Sequence, residues 1–215
     1  MRISDISPLV DELLPRVIQW RRYFHENPEL GNREFGTAAF VAKTLRELNF
    51  DHVQEKVAVT GVVGILKGKI PGGHVVGLRA DMDALPVEER NDLPFKSRVK
   101  TVWNGKETGV MHACGHDVHT ANLLGVAALF SSKRAELRGT FKFIFQPAEE
   151  MPPDSEEGGA TLMVKEGVMD DVDFVFGLHV IAGFKAGKLM VRSGPIMASS
   201  GRKRRRKRRD TRVKF

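Results

Sequence analysis

Cysteine is almost missing: the 215 residues contain one, Cys114. That excludes an internal disulfide framework and suits a reducing compartment, so a cytoplasmic setting is expected. Long apolar runs are missing too. No stretch is long enough to span a membrane, and the N-terminus, Met1 to Pro8, lacks the apolar centre of a signal peptide. No internal repeat is found. An excess of one charge is missing from most of the chain. The formal net charge is +7, but residues 201–215 hold ten Lys or Arg against one Asp; this tail carries +9 and the first 200 residues carry −2. The body therefore has no electrostatic reason to hold a polyanion. What is present is an apolar fraction of 41%, enough for a core in one large domain or two small ones.

Val10, Leu13, Leu14, Val17 and Ile18 recur at helical spacing and predict a helix over 7–26. Phe35, Ala38, Ala39, Ala42, Leu45 and Leu48 predict a second over 34–49, with those side chains inward. Strands are predicted over 57–60, 62–66, 75–78, 140–145, 174–180 and 188–192. Turns fall at Asn27 to Gly31, at Gly68 and at Pro71-Gly72-Gly73. Trp103 to Gly109 reads as a polar loop. Asp117 is placed to cap a helix with Val118, Ala121, Leu124 and Ala128 along one side, and a further helix covers 159–166. Strands alternate with helices, and several strands are apolar throughout. The fold class expected is α/β, a parallel-rich sheet whose strands are buried on both faces between helices.

In such a sheet the ligand site lies beyond the carboxyl ends of the strands. The strand at 75–78 runs into Asp81 and Asp83, that at 140–145 into Glu149 and Glu150, and that at 174–178 into His179. Cys114 and His116 sit in the loop just before the helix from Asp117. Each has an ordinary explanation. A lone Cys is commonly a small buried hydrophobe, Asp after a strand a turn former, a Glu pair a solvated face, and a His at a strand end part of the core. Four coincident cases at one predicted edge point instead to a metal site. Thiolate and imidazole are ligands of transition metals, zinc above all. Two neighbouring Glu can divide the work of a hydrolytic site, one on the metal and one taking a proton from water.

Six stretches then carry a resemblance: Arg22 to Gly31 (RYFHENPELG), Gly77 to Glu88 (GLRADMDALPVE), Met111 to Thr120 (MHACGHDVHT), Phe143 to Glu150 (FIFQPAEE), Gly158 to Met169 (GGATLMVKEGVM) and Phe176 to Val180 (FGLHV). From about residue 10 to about residue 199 the chain resembles the M20 metallopeptidases. Within them it is most similar to the amidohydrolases that include hippurate hydrolases, N-acyl-amino-acid hydrolases and plant auxin-conjugate hydrolases. The resemblance implies the N-terminal part of a three-layer αβα, zinc-exopeptidase-like catalytic domain. It implies two divalent ions, whether zinc, manganese, cobalt or nickel, held by Cys114, His116, Glu150 and His179. Glu149 is implied as general base and Asp83 as a carboxylate that orients a ligand. The implied substrates are N-acyl amino acids or small peptides cut at the amide bond, with no membrane partner.

The chain also departs from the family. Met151 to Glu157 reads as a short insertion. Family members insert a lid domain at about residue 200, which carries the dimer contact and a His that reaches the site, and then return to supply a last ligand His. Here the pattern runs through Gly194 to Ser200 and gives way to the basic tail. The expectation is a catalytic part over 1–200, truncated before the lid and without the family dimer contact, and a disordered tail over 201–215. Three readings of the tail are open: a frameshift or truncation product, a segment for nucleic acid or a nuclear address, or a solvated disordered end. Any run of this charge binds polyanions non-specifically, and no aromatic residue interleaves it to stack bases. The expected activity is metal-dependent amide hydrolysis, absent from the truncated chain. The alternative is a non-catalytic metal-binding fragment with a polyanion-binding tail.

Overall fold

Two helices lead into the sheet. α1 (Ile3–Glu26) starts earlier than expected and keeps Pro8 and Pro15 within it. Among its described side chains Trp20, Phe24 and His25 are buried, towards its C-terminal end, where it packs on α3 (His116–Ser132). Val10, Leu14 and Ile18, read from spacing alone as its apolar stripe, are exposed. α2 (Phe35–Glu47) buries Ala38, Val41, Ala42 and Leu45, whereas Phe35 and Ala39 face solvent. Its first turn is capped from a distance. The Glu29 carboxylate accepts the amides of Gly36 and Thr37 at 2.9 and 2.7 Å and the Thr37 hydroxyl at 2.8 Å. That satisfies donors which every helix start leaves open. It also leaves Glu34, the residue before the helix, free for another task.

The computed structural model describes residues 3–150, 152 and 156–191. Residues up to Ile181 belong to one unit. The described residues from Ala182 belong to a second and contain turns but neither helix nor strand, so the strand expected over 188–192 is not found at 188–191. Residue 192 and the tail at 201–215 lie outside the described residues.

The sheet has the order β1-β2-β6-β3-β7, from β1 (His52–Val57), β2 (Gly61–Lys67), β3 (Ile70–Asp81), β6 (Arg138–Gln146) and β7 (Phe174–Gly177). β6, β3 and β7 run parallel, and β2 and β1 continue the sheet antiparallel. The strand expected over 57–60 is instead the end of β1 and its turn into β2. The expected turn at Pro71-Gly72-Gly73 lies inside β3, where the register against β6 shifts between Ile70 and Val75. The expected loop at 103–109 closes a hairpin, β4 (Lys100–Trp103) and β5 (Lys106–Gly109). Asn104 and Gly105 both take positive φ, 50° and 77°, which Asn-Gly tolerates and which matches the strand twist.

Phe24, Val41, Leu45, Leu66, Met82, Leu124, Phe143 and Phe145 form one core between the sheet and α1, α2 and α3. Each such side chain contributes about 1.5–3 kcal/mol by leaving water. The opposite face is covered by α4 (Gly159–Lys165), whose Met163 joins Val57, Val63 and Ile144. Helices thus lie on both faces of a mixed α/β sheet. β7 departs from the expected double burial. It is the edge strand, and Phe174, Val175, Phe176 and Leu178 are all about half exposed or more.

Candidate metal centre

Parallel register brings the functional side chains to one edge. Asp81 pairs with Gln146 across β3 and β6, and Arg79 with Gly177 across β3 and β7. Residues just past all three strands therefore emerge together: Asp83, Glu149 with Glu150, and His179. α3 adds its N-terminus to the same edge. Gly115 precedes it in the left-handed region (φ 87°), and a Cβ there would lie 2.4 Å from the Val180 side chain. Gly115, rather than Asp117, is thus the capping residue, and His116 is the first residue of the helix. Asp117 lies buried in the first turn, hydrogen-bonded to His25 at 2.8 Å and paired with Arg21 at 2.9 Å.

Asp83 orients two neighbours. Its carbonyl accepts His116 Nδ1–H at 2.8 Å, with its own Oδ1 at 3.2 Å from the same nitrogen, and its Oδ2 accepts the Glu150 amide at 2.9 Å. A carbonyl only accepts, so the His116 proton is on Nδ1 and the lone pair of the neutral ring is on Nε2. Nε2 is buried and has no hydrogen-bond partner. Around it stand Asp81 Oδ2 at 3.6 Å, Glu150 Oε1 at 3.8 Å and Glu149 Oε2 at 3.9 Å. His179 is arranged alike. Its Nδ1–H donates to the Val180 carbonyl at 2.6 Å, and its Nε2 faces Cys114 Sγ at 3.5 Å.

The turn that carries the two glutamates is held from beneath. Ala148 takes a positive φ of 44°. Its amide donates to Glu34 Oε1 at 2.8 Å, while Glu34 Oε2 accepts the Thr60 hydroxyl at 2.5 Å. Burial pushes the Glu34 carboxyl up to about 7, against the pull of these two hydrogen bonds.

Electrostatics mark the edge as a place for a cation. Burial, with the nearby Glu150, Glu149 and Asp81 carboxylates, pushes the Cys114 thiol up to about 12. Burial opposes charge on His116, but the hydrogen bond to Asp83 and the carboxylates of Asp81, Asp83 and Glu150 outweigh it and raise its pKa to about 9. Burial and the Asp81 and Glu150 charges also raise Glu149. A bound divalent ion answers all three, since it neutralises the carboxylates, deprotonates a coordinating thiol and fills the gap at Nε2. Carboxylates 3.6–3.9 Å from a bare ring nitrogen are too distant for hydrogen bonds and leave space for an ion coordinated near 2 Å.

Among the described residues, three groups have ligand atoms within 4.8 Å of one another: Cys114, His116 and His179; His116, Glu149 and Glu150; and Asp81, His116 and His119. The first two hold every ligand position expected from the sequence, share His116, and include Glu149. The third is closed, because both nitrogens of His119 are engaged. Nδ1 donates to Asp81 Oδ1 at 2.6 Å, and Nε2 accepts the Val180 amide at 2.9 Å. Asp81, His119 and Glu34 were given no role in the sequence reading. The spacing held a signal for two of them: Asp81 ends its strand two residues before Asp83, and His119 lies one helical turn from His116.

Comparison with known proteins adds four findings. The model of peptidase family M20/M25/M40 matches residues 77–205. The chain is 49% identical over 198 residues to thermostable carboxypeptidase 2 of Saccharolobus solfataricus, covering 92% of this chain and 47% of that protein. It is 46% identical over 203 residues to an N-acyl-L-amino acid amidohydrolase of Geobacillus stearothermophilus, covering 94% and 51%. Among solved structures it is similar to the Bacillus subtilis YXEP protein, a dinuclear metal binding peptidase, with a TM-score of 0.68 and 40% identity over 79% of this chain and 43% of that one. The chain spans about half the length of the curated relatives it matches.

Proposed function

From the premise that the chain belongs to peptidase family M20/M25/M40, we propose that its strand-end site serves metal-dependent hydrolysis of the amide bond of N-acyl amino acids. One observation carries this reading: the buried, partnerless Nε2 of His116 lies between a Cys114–His179 pair and a Glu149–Glu150 pair. Cys114, His116, Glu150 and His179 would hold two divalent ions. This mixed set of thiolate, imidazole and carboxylate suits zinc, cobalt and nickel and admits manganese. When bound, the ions supply Lewis-acid polarisation of the acyl carbonyl and of water.

The chain's own groups do the rest. Glu149 is the more exposed glutamate of the pair, and its raised pKa favours a carboxylate ready to accept a proton. It takes that proton from the attacking water and returns it to the departing amine nitrogen. Glu150 is tethered through its amide to the Asp83 carboxylate, and the Asp83 carbonyl and Oδ1 fix the His116 ring, so one residue sets the angle of both ligands. The names of the relatives support the substrate class, in particular that of the amidohydrolase.

The test is a cobalt titration of the full chain, followed by assay on hippurate and N-acetyl amino acids with zinc, manganese or cobalt. The expected result is a thiolate-to-cobalt absorption band that disappears in Cys114→Ser; any metal-dependent turnover should disappear in Glu149→Gln while metal is retained. Turnover untouched by Glu149→Gln would overturn the assigned base. Metal binding with no turnover would select the alternative, a non-catalytic metal-binding chain.

A further inference from the structure

Three histidine rings crowd the site. Their centroids lie 5.4 Å apart for His116 and His119, 4.6 Å for His119 and His179, and 6.2 Å for His116 and His179. All three place a proton on Nδ1. They differ in what faces Nε2. For His116 it is the ring of carboxylates, for His179 it is Cys114, and for His119 it is a backbone amide.

We propose that His119 is a positioning residue: clamped by Asp81, it holds the Val180 amide and so sets His179 against Cys114. The inference rests on the metal reading given above. Its chemistry is restrictive. Asp81 Oδ1 only accepts and the Val180 amide only donates, so the ring between them must donate at Nδ1 and accept at Nε2. Only the neutral Nδ1–H tautomer does both. An imidazolium cannot, and neither can a ring that coordinates a metal through Nε2. His119 is therefore withheld from ligation, although it is buried among ligands.

Asp81 is itself held. Its Oδ2 accepts from Arg79 at 2.8 Å, and Arg79 donates to Gln146 at 2.9 Å. Its carbonyl accepts the Thr120 hydroxyl at 2.7 Å. The relay from Gln146 through Arg79, Asp81 and His119 to Val180 thus begins on β6, crosses β3 and ends just past β7. That far end needs support, because β7 is a four-residue edge strand with exposed side chains. Val180 also sits directly over Gly115, the residue after Cys114. The amide grip and this close approach together fix the residue after His179.

Two measurements on the full chain test this. Long-range 1H–15N correlation of the metal-free protein should show His119 as the neutral Nδ1–H tautomer; an Nε2–H or doubly protonated ring would overturn the proposal. Cobalt titration then reads positioning. His119→Ala should weaken binding by about 10–100-fold, the usual loss when a group that orients a ligand is removed. His119→Gln, whose side-chain carbonyl can still accept the Val180 amide, should recover most of it. In a His179→Ala background, His119→Ala should cost less than about twofold, because its effect passes through His179. An equal loss in both backgrounds would make the role merely structural and sink the proposal. If His119→Ala does not fold, the tautomer and the Gln variant decide. A wild-type chain that gives no thiolate band would instead overturn the metal reading, whatever the tautomer shows.

Discussion

Two buried histidines a short way apart show how distance separates an ion pair from a metal site. His25, near the end of α1, has Asp117 on Nδ1 and Glu89 on Nε2, both at 2.8 Å. Two carboxylates can only accept, so the ring carries both protons and the cluster is closed. His116 also stands among carboxylates, but only Nδ1 is engaged, and the oxygens facing Nε2 lie 3.6–3.9 Å away. About one ångström separates a ring nitrogen bonded to a carboxylate from one with space before it. Residue types alone, His with Asp and Glu, are the same in both places.

Breaking the closed cluster should have the larger effect on stability. His25→Ala removes the cation between two buried carboxylates, leaving Asp117 with the partly exposed Arg21 and Glu89 with only the neutral amides of Asn91 and Ser97. Removing one partner of a buried ion pair costs about 3–5 kcal/mol, and that loss is expected in urea unfolding at pH 6. The pH dependence follows from the raised pKa of His25. Its hydrogen bond to Asp117 outweighs the cost of burial, helped by Glu89. A raised folded pKa gives stability that is fully present below the ordinary value of 6.5 and is lost as pH climbs through the higher folded value. The gap between wild type and His25→Ala should therefore narrow from pH 6 towards pH 9. A gap that is constant or widens would mean that the ring is not an imidazolium.

The open site should respond to metal where the closed one does not. An ion that binds only the folded chain stabilises it by about 2.7 kcal/mol at a hundred times its Kd. Zinc or cobalt should raise the unfolding midpoint of wild type and of His25→Ala alike, and leave Cys114→Ser or His116→Ala nearly unchanged. Equal stabilisation of the His116 variant would place the metal elsewhere.

How much of this could be read from residues is uneven, for physical reasons. The convergence of Asp83, Cys114, His116, Glu149, Glu150 and His179 was legible, because parallel strands deliver whatever follows them to one edge, and apolar strands such as Phe143 to Phe145 are easily recognised. The inward faces of α1 and α2 were legible only in part. Helical spacing names an apolar stripe but not the neighbour it meets, so Leu14 lies on such a stripe and Phe35 is expected inward, and both are exposed. β7 was read as buried because it is apolar, and its place at the edge is set by topology, which composition does not contain. Long-range polar partners were hidden for a similar reason. His25 and Asp117 are 92 residues apart, and nothing local distinguishes their pairing from a helix cap.

A third buried group sharpens the comparison by having neither an ion partner nor a gap for one. Glu34 is fully buried, and its two oxygens meet an amide and a hydroxyl rather than a cation. Burial raises its pKa from an ordinary 4.5 to about 7, so the neutral acid is the form the fold prefers. For a carboxyl shifted upward, the stability it gives is fully present below 4.5 and is lost as pH rises through about 7. Glu34→Gln is the matching change. The amide oxygen can still accept from Ala148, and the amide nitrogen can donate to the Thr60 hydroxyl, so both contacts survive. Below pH 4.5 the variant should lie within about 1 kcal/mol of wild type, the scale of one hydrogen bond. Above pH 7 it should equal or exceed wild type, because nothing need ionise. Glu34→Ala should lose the support of the Ala148 turn at every pH and with it metal affinity, since Glu149 and Glu150 follow that turn. Parallel stability curves for Glu34→Gln and wild type from pH 4 to pH 8 would show that Glu34 is charged in the fold, and would move it into the same class as His25.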